Sequence, residues 1–563
     1  MYRSICLLMC LSTFAPAAAE DLRQKEQQRV DVIRRIAPAV VCVMDSAGAG
    51  GGSGVLISPD GFAISNFHVT SGSGNFLKCG LNDGKVYDAV LVGIDPTGDV
   101  SLIQLQGRSD FPFATPGNSD HVRAGDQCLA LGNPFLLASD FSPTVTFGIV
   151  SGTRRYQYPA NTFLEYTDCI QIDASINPGN SGGPLFDIQG RWIGINGRAS
   201  FEKRGRVNSG AAYAISVNQV LNFVEHLKCG LIVDHGRADF TVESDEQFNV
   251  VVRQVSELSE AWRRGLRNGA VLESFAGRQL TSANDFQNIV GIFPEGTRLP
   301  LTWRDRTGRH SATVRLGPLH AFQKAPELPQ ERRRETPNED DGEQTQEQPS
   351  AELQKLFVAR DGFSNYYFNQ LIYQQRLTQL QQQLTDIPAD AGWKIELSAE
   401  DNNRTEKGEL VVTSKTVGLR LNEQSWLQNV AQPDLKEEPP AFPGFLIAVS
   451  HLHRMLRKDN PLFDDITAAG KTVHLPSGRA LQVLITRSGT RNARWYFSSQ
   501  DALPAALDLE PEAAIDEIRL MFENWKSWQG IVFPERVGIV DPATEQVRWL
   551  RITAAVGKQE TGK

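Results

Sequence analysis

The sequence predicts a multidomain chain that opens with an all-β region and continues into two regions of mixed α and β character. Short apolar and β-branched runs, separated by Gly, Asn, Asp and Pro, occupy the chain up to about residue 215. Such spacing, with almost no helical periodicity, is typical of an all-β barrel or sandwich. The length of 563 residues exceeds what a single hydrophobic core supports, and so several domains are expected.

The first 19 residues have the composition of a cleavable signal peptide. Arg3 precedes a short apolar run, and Ala17, Ala18 and Ala19 form a small-residue cleavage site. The run is too short to span a bilayer. We therefore expect an exported chain, periplasmic or otherwise secreted, with no membrane span after cleavage. The formal net charge of −9 gives no basic footprint for nucleic acid, and no nucleic-acid partner is expected.

The elements follow in a clear order along the first half of the chain. Residues 20–36 place Val30, Ile33 and Ile36 at helical spacing. The strand-like runs come next, and residues 216–227 form a closing helix, so that one β domain occupies residues 37–228. Candidate strands in this domain are VVCVM, GVLIS, FAISN, AVLVGI, SLIQL, QCLAL, TVTFGIV, CIQID and RWIGI.

Two further regions are predicted after the β domain. Residues 229–320 alternate strand-like and helix-like segments. Residues 321–350 are charged, rich in Gln and Pro and poor in apolar residues, which predicts a disordered linker. Residues 351–563 then form an α+β domain of unknown role, with a Gln-rich helix over 365–384 and a second helix at PGFLIAVSHLHRML.

The segment NPGNSGGPL, residues 177–185, contains the strongest candidate nucleophile, Ser181. GNSGG also fits the G-x-S-x-G elbow of α/β-hydrolases, but that motif needs a helix directly after the serine. Pro184 and a strand-like run follow instead. The alternative arrangement is a β-barrel on which a histidine, an aspartate and the serine occur in that order.

His68 and Asp99 are the predicted partners of Ser181. His68 lies where an apolar strand meets a turn, a rigid position with access to solvent for a general base. Asp99 directly precedes a strongly apolar strand, so its carboxylate can be buried against the imidazole. Asp95 is the second candidate for the acid, and His121 lies in a polar connection typical of a surface residue.

The glycines beside Ser181 suit a pocket for a developing oxyanion. Gly179 can adopt dihedral angles that aim its N–H inward, and the N–H of Ser181 would be the second donor. We therefore assign the predicted oxyanion hole to the turn formed by Gly179, Asn180 and Ser181.

The β domain resembles the HtrA/Deg family of trypsin-like serine proteases. The matching stretches, in family order, are GGSGVLISPDGFAISNFHVT, GIDPTGDVSLIQL, ALGNPF, TVTFGIVSG, IQIDASINPGNSGGPLFD and AYAISVNQV. The resemblance implies two six-stranded β-barrels, a triad of His68, Asp99 and Ser181, and endopeptidase activity on unfolded or misfolded envelope proteins. It also implies a homo-oligomer, commonly a trimer.

Residues 230–318 resemble the PDZ domain that follows the protease in this family, through VVVRQVSELSEAWRRGLRNGAVLESFAGRQL. PDZ domains bind peptide C-termini by strand addition. On this resemblance, the predicted peptide-binding residues are Phe248, Asn249, Val250 and Val251. Phe248 and Asn249 stand where the family has its loop glycine, and Gly269-Ala270 replaces the usual Gly-Asp, both of which are departures from the pattern.

The C-terminal region and the remaining polar residues give weaker signals. WKSWQGIVFPERVGIVDPATEQVRWLRI is faintly similar to curved-sheet domains that carry envelope lipids. His451 and His453 would face different sides of a helix, which predicts a surface position and no metal site. Aromatic residues of this region are expected in its core, namely Trp495, Trp525, Trp528 and Trp549. No cofactor is expected.

The mature chain contains five cysteines, all before residue 230. An oxidising compartment permits the pairs Cys42–Cys79 and Cys128–Cys169, whereas buried, unpaired thiols are the alternative.

Two functional hypotheses follow. The first is an exported serine endopeptidase for protein quality control. The second is a chaperone, peptide sensor or scaffold whose C-terminal domain docks a partner.

Overall fold

A computed structural model describes most of the chain, and it divides into two compact units. The described residues are 22–48, 51–133, 140–157, 163–201, 208–326, 348–384, 391–401, 404–440, 442–457, 463–474, 477–510 and 515–559. Within them, unit 1 takes residues up to Arg237, Asn284–Glu295 and Pro318–Tyr366, and unit 2 takes Ala238–Ala283, Gly296–Gly317 and the residues from Tyr367 onward. The predicted signal peptide and most of the predicted linker lie outside the described residues.

Unit 1 contains a first closed antiparallel β-barrel, with strand order β1-β2-β3-β6-β5-β4. Residues 22–36 are helical (α1), and a one-turn helix, α2 (Phe67–Thr70), follows the third strand. Apolar side chains such as Val41, Leu56 and Ile103 fill the barrel. The strands are β1 (Val40–Met44), β2 (Gly52–Leu56), β3 (Phe62–Ser65), β4 (Phe76–Gly80), β5 (Val86–Asp95) and β6 (Val100–Leu105).

A second closed barrel follows, with strand order β10-β11-β12-β9-β8-β7. Helix α3 (Val217–Leu227) then packs the apolar side chains Val220, Phe223 and Leu227 into the protein interior. The two six-stranded barrels confirm the predicted fold class of this region. The strands are β7 (Gln127–Gly132), β8 (Thr144–Gln157), β9 (Tyr166–Ile172), β10 (Pro184–Asp187), β11 (Trp192–Phe201) and β12 (Asn208–Ser216).

The region after α3 contributes to both units. In unit 2, five antiparallel strands are ordered β14-β15-β16-β18-β19, and β17 pairs with β16. The elements of the whole region, across both units, are β13 (Gly236–Arg237), β14 (Phe240–Ser244), β15 (Val250–Val255), α4 (Glu260–Arg263), β16 (Val271–Phe275), β17 (Arg278–Gln279), α5 (Ala283–Val290), β18 (Arg298–Asp305), β19 (Gly308–Arg315) and β20 (Gly317–Pro318).

Residues 350–366 belong to unit 1, although the sequence places the start of the C-terminal domain at residue 351. Helix α6 (Ala351–Gln354) buries Leu353, and the ring of Phe357 lies 6.1 Å from that of Phe76. Further along, the side-chain amide of Asn365 donates to the carbonyl oxygen of Leu91 at 2.9 Å. This segment thus packs on the first barrel.

The rest of unit 2 is an eleven-stranded antiparallel sheet with strand order β24-β23-β22-β21-β31-β30-β29-β28-β27-β26-β25. Two helices accompany it, α7 (Tyr366–Gln383) and α8 (Phe445–Met455), close to the two helices that the sequence predicts. The strands are β21 (Ala391–Asp401), β22 (Arg404–Val412), β23 (Thr416–Leu421), β24 (Gln424–Asn429), β25 (Asp465–His474), β26 (Arg479–Ser488), β27 (Arg491–Phe497), β28 (Pro504–Leu509), β29 (Ile518–Ser527), β30 (Val532–Val540) and β31 (Val547–Gln559).

Helix α8 is buried on every side, which overturns the predicted surface position of His451 and His453. Both side chains are 5% exposed. His451 stacks on Phe463, and burial together with nearby arginines lowers the pKa of His451 to about 3. Amphipathic spacing could not show this, because the helix packs on more than one side. Of the four tryptophans, Trp495 is fully buried and Trp525, Trp528 and Trp549 are half-buried.

A cluster of arginines and carboxylates joins the two sheets of unit 2, and we call it the arginine cluster. Arg298 of β18 lies 2.6 Å from Glu517 and 3.0 Å from Glu260. Arg315 of β19 lies 2.7 Å from Glu517 and 2.8 Å from Asp508. Burial favours the neutral acid, but the surrounding arginines outweigh it and hold the pKa of Glu517 well below its usual range. The six-stranded sheet and the eleven-stranded sheet therefore form one unit, where the sequence predicts two domains.

All five described cysteines are buried free thiols, so neither predicted disulfide forms. Cys42 lies opposite Gly80 while Cys79 lies opposite Val43, and the two side chains therefore project from opposite faces of the β1–β4 ladder. Cys128 and Cys169 are on β7 and β9, which β8 separates. None of the described helices combines the length and apolarity that a membrane crossing requires.

Candidate active site

The structure brings His68 and Asp99 into direct contact. His68 lies in α2, and Asp99 lies in the turn between β5 and β6. His68 Nδ1 is 2.7 Å from Asp99 Oδ2, and the backbone N–H of His68 donates to Asp99 Oδ1 at 2.9 Å. The Asp99 side chain is fully buried, whereas 34% of the His68 side chain is exposed. A carboxylate thus holds the imidazole at Nδ1, while part of the side chain remains accessible to solvent.

The backbone of Asp99 also fixes the start of α2. Its carbonyl oxygen accepts from the side-chain amide of Asn66 at 2.8 Å and from the N–H of Phe67 at 3.2 Å. Asp99 has a φ of 58°, which is uncommon for a residue with a Cβ and recurs at functional sites. Main chain and side chain of Asp99 therefore both position the histidine.

The charge of Asp99 raises the pKa of the His68 imidazole. Burial tends to lower the pKa of His68, but the charge and the hydrogen bond of Asp99 outweigh it and hold that pKa above its ordinary value. A neutral His68 is accordingly a stronger proton acceptor than an isolated histidine, and a carboxylate stabilises its protonated form. This is the electrostatic arrangement that a general base requires.

Tyr166 is a third member of this group that the sequence does not reveal. It is buried at the start of β9, and its hydroxyl donates to Asp99 Oδ2, the oxygen that also contacts His68. Tyr166 is 67 residues from Asp99 along the chain, and the surrounding motif does not single it out. Only the closure of the second barrel brings this hydroxyl to Asp99.

Ser181 lies on the turn between β9 and β10 and is half-buried. Its carbonyl oxygen accepts from the N–H of Ser53 at 2.8 Å, and its hydroxyl donates to the carbonyl oxygen of Gly197 at 3.2 Å. Among the described residues, no hydrogen bond joins the hydroxyl of Ser181 to His68. Hydrogen bonds of this kind commonly tighten only when a substrate binds.

Close packing shows that the Ser181 turn lies against the segment that carries His68. A Cβ added to Gly182 would lie 2.5 Å from Ser65 Oγ and 3.0 Å from the nitrogen of Asn66. A Cβ added to Gly52 would lie 2.8 Å from Val69 and 2.9 Å from the carbonyl oxygen of Ser181. Glycine is needed at both positions because the two chain segments touch.

Two N–H groups beside Ser181 are available to an anion. Gly179 has a φ of 101°, and its carbonyl oxygen accepts from Ser53 Oγ at 2.6 Å. Within the described residues, the N–H groups of Gly179 and Ser181 donate to no protein acceptor. The N–H of Asn180 instead donates to the carbonyl oxygen of Asn177 at 2.9 Å. Asn180 therefore supplies no N–H to the pocket in this conformation, contrary to its inclusion in the predicted oxyanion hole.

The structure also places the two alternative residues of the sequence analysis. Asp95 is fully buried and contacts His235, with His235 Nε2 at 2.9 Å from each carboxylate oxygen. It is therefore not the partner of His68. His121 is exposed, at the end of a short 3₁₀ turn.

The predicted peptide-binding residues of unit 2 do not offer a free strand edge. Val250 and Val251 lie on β15, paired with β14 on one side and with β16 on the other, so a peptide cannot add a strand there. Phe248 is 77% exposed, and with Asn249 it belongs to the turn between β14 and β15. Among the described strands, β14 and β19 end the sheet order. The resemblance to a PDZ core did not reveal this pairing, because both partners of β15 are separate strands of the sheet.

Comparison with known proteins agrees with this geometry. A family model described as a trypsin-like peptidase domain matches residues 52–195. A probable periplasmic serine endoprotease DegP-like of Chlamydia trachomatis is 33% identical over 261 residues, covering 44% of this chain and 50% of the relative. The periplasmic serine endoprotease DegP of Escherichia coli K12 is 35% identical over 262 residues, covering 44% of this chain and 53% of the relative.

The chain thus spans about half the length of the curated relatives it matches. A solved HtrA-type protease, AlgW with a tripeptide, is 32% identical and overlaps 51% of this chain and 96% of its own, with a TM-score of 0.42. The matched region contains His68, Asp99 and Ser181 on two closed barrels. The chain therefore contains a trypsin-like peptidase domain over residues 52–195, and this region is similar to HtrA/Deg serine proteases.

Proposed function

We propose that the chain is a serine endopeptidase in which Ser181 is the nucleophile, His68 the general base and Asp99 the orienting acid. The observation that carries this proposal is the buried Asp99 carboxylate, 2.7 Å from Nδ1 of a solvent-accessible histidine and next to the packed Ser181 turn. A nucleophilic hydroxyl, a base and a group that orients the base are the parts that acyl transfer requires.

In the proposed reaction, Ser181 Oγ attacks the carbonyl carbon of the scissile peptide bond while its proton passes to His68 Nε2. The N–H groups of Gly179 and Ser181 would stabilise the resulting oxyanion, and each such donor is worth about 3–4 kcal/mol. The same proton then goes to the leaving amine, and water hydrolyses the acyl-enzyme by the reverse sequence.

One side-chain movement precedes this reaction. The Ser181 hydroxyl donates to the carbonyl oxygen of Gly197, so it has to turn toward His68 before attack. Rotation about one serine bond exchanges one hydrogen bond for another, and substrate binding can favour the second. The described conformation is therefore a resting state of the proposed site.

The proposed substrates are unfolded or misfolded proteins of the cell envelope, and the proposed location is the periplasm. Both rest on the similarity to HtrA/Deg proteases and on the names of the relatives, which are periplasmic serine endoproteases. A homo-oligomer, peptide C-termini as ligands of the PDZ-like region and a quality-control role are parts of the same proposal.

The decisive experiment is labelling with a serine-directed phosphonate, followed by peptide mapping. We expect the label on Ser181 of the full-length wild type and none on Ser181→Ala, together with complete loss of casein cleavage in the variant. Failure of the wild type to label, with client protection retained in Ser181→Ala, would instead support a chaperone or scaffold. Persistent cleavage by the pure variant would exclude Ser181 as the nucleophile.

A further inference from the structure

Unit 1 contains a second Asp–His pair, four residues before Asp99, that the proposed reaction does not use. His235 and Asp95 are both fully buried. The imidazole Nε2 lies 2.9 Å from each oxygen of the Asp95 carboxylate. On its other side the ring packs on Phe223 of α3, with ring centroids 4.5 Å apart. The pair is thus enclosed and has no direct contact with solvent.

Asp95 shapes the turn that carries Asp99. Its Oδ1 also accepts from the N–H of Gly98 at 2.8 Å, which closes residues 95–98 into a tight turn. A Cβ added to Gly98 would lie 2.3 Å from Asp95 Oδ2 and 2.9 Å from His235 Nε2. The turn is therefore packed directly on the pair. Asp99, the residue directly after this turn, has a positive φ. Such a strained backbone conformation persists only when the surrounding contacts support it.

A displacement of this turn would disturb both sets of contacts that Asp99 makes with the segment carrying His68. The carbonyl oxygen of Asp99 holds Asn66 and Phe67, and its carboxylate holds the imidazole and main-chain N–H of His68. His235 does not touch His68, Ser181 or the place where a peptide would react. Any effect of His235 on catalysis therefore passes through Asp95 and Asp99.

His235 is itself firmly held. Its carbonyl oxygen accepts from the N–H of Leu319 at 3.0 Å. Two residues before it, the N–H of Val233 donates to the carbonyl oxygen of Ile94 at 2.8 Å, directly beside Asp95. The segment of residues 231–235 thus runs along the end of β5 and supports the pair from outside the barrel.

The charged groups that act most strongly on His235 are acidic. Burial tends to lower the pKa of His235, but Asp95, Glu165 and Asp234 outweigh it and raise that pKa. From α3, Phe223 packs on the ring and the side-chain amide of Gln219 lies beside Gly98, and neither residue is charged. A charged or strongly polarised imidazole is accordingly favoured opposite Asp95, which makes the hydrogen bonds between them strong.

We propose that His235 is a positioning residue of the peptidase site. Through the Asp95 carboxylate, it keeps Asp99 in the position from which Asp99 contacts His68. The inference rests on the proposed function and adds a residue outside the region matched by the trypsin-like family model, 52–195. It predicts that losing the donor at position 235 weakens the contact between Asp99 and His68 even when the protein stays folded.

The test compares two substitutions in the full-length chain. His235→Phe keeps a ring against Phe223 but removes the donor, whereas His235→Gln keeps a donor. We expect His235→Phe to lower kcat on a peptide substrate about 10- to 100-fold, the loss of one charged hydrogen bond, with little change in KM. His235→Gln should recover most of that loss, and His121→Gln, at an exposed histidine, should have no effect.

A second readout does not depend on turnover. In the Ser181→Ala background, NMR titration of labelled histidines reports the pKa of His68, which Asp99 raises. His235→Phe should move the His68 titration to lower pH, and Asp95→Asn should move it in the same direction. A folded His235→Phe protein with an unchanged His68 titration would overturn the proposal, and if that variant does not fold, an unchanged titration in Asp95→Asn would do so. Failure of the wild type to react with phosphonate would instead contradict the proposed function and leave this titration interpretable.

Discussion

The site around His68 in unit 1 and the arginine cluster of unit 2 both bury carboxylates against cationic groups, but they differ in the cation. In unit 1 the partner of Asp99 is an imidazole with 34% of its side chain exposed. In unit 2 the partners of Glu517 are the guanidinium groups of Arg298 and Arg315, which are almost completely buried and do not lose their protons at ordinary pH.

The difference separates a chemical role from a structural one. A titratable group that reaches solvent can take a proton from a substrate-bound nucleophile and return it. A buried guanidinium pair cannot, and its effect is to join two sheets in one arrangement. Buried ion pairs of this second kind are costly to break, because removal of one partner leaves an uncompensated charge.

The largest effect is expected from Asp99→Asn. It retains the size of the side chain but removes the charge and one acceptor of His68, and we expect kcat on a peptide substrate to fall about 10⁴-fold, as is typical for such triads. Because Asp99 raises the pKa of His68, the acidic limb of residual kcat/KM should move to lower pH. Asp110→Asn, at an exposed aspartate of the same unit, is the control. Wild-type activity in Asp99→Asn would remove Asp99 from the mechanism.

The next largest effect is expected on stability, from Glu517→Gln. This change leaves Arg298 and Arg315 without their shared carboxylate, and we expect a loss of about 3–5 kcal/mol in the free energy of unfolding of the full chain. Arg34→Ala removes an exposed ion pair with Asp31 and should cost less than about 1 kcal/mol.

Denaturant unfolding followed by circular dichroism measures both variants. Because the pKa of Glu517 is lowered in the folded protein, its contribution is present at neutral pH and is lost as the pH falls through the folded value. Equal stabilities for the two variants would show that the arginine cluster is no stronger than a surface pair. Phosphonate labelling of Ser181 in Glu517→Gln should persist, since the two regions have different roles.

The smallest effect is expected from Tyr166→Phe. The change removes one donor from Asp99 Oδ2 and leaves the ring in place, and kcat should fall about 3- to 10-fold. With less competition for its charge, Asp99 should raise the pKa of His68 further. The acidic limb of kcat/KM should therefore move to higher pH, opposite to Asp99→Asn. A shift to lower pH would show that Tyr166 supports the carboxylate rather than competes with His68.

Much of the fold of unit 1 could be predicted because its signals are local. Strand runs and turn residues indicate the barrels, and the order of His68, Asp99 and Ser181 in distinctive motifs suggests their shared site. Tyr166 and His235 could not be found in this way. Each lies outside the quoted motifs and acts on an aspartate that is distant along the chain, Asp99 for Tyr166 and Asp95 for His235.

The predictions for unit 2 were less successful for the same reason. Pattern alone did not show that β15 is paired on both sides, that α8 is enclosed, or that Arg298 and Arg315 meet Glu517. Sequence spacing describes one element at a time, whereas pairing on both sides of a strand depends on distant segments.

By itself, the sequence determined the β-rich character of the first half, the glycines at the Ser181 turn and the residue types of the proposed triad. These depend on local backbone preferences and on chemistry that few side chains supply. The tertiary structure confirmed that Asp99, which the sequence favoured over Asp95, contacts His68, and it alone decided that Asp95 pairs with His235. Both aspartates belong to one short turn, and the direction of each side chain is set by segments that arrive from far along the chain.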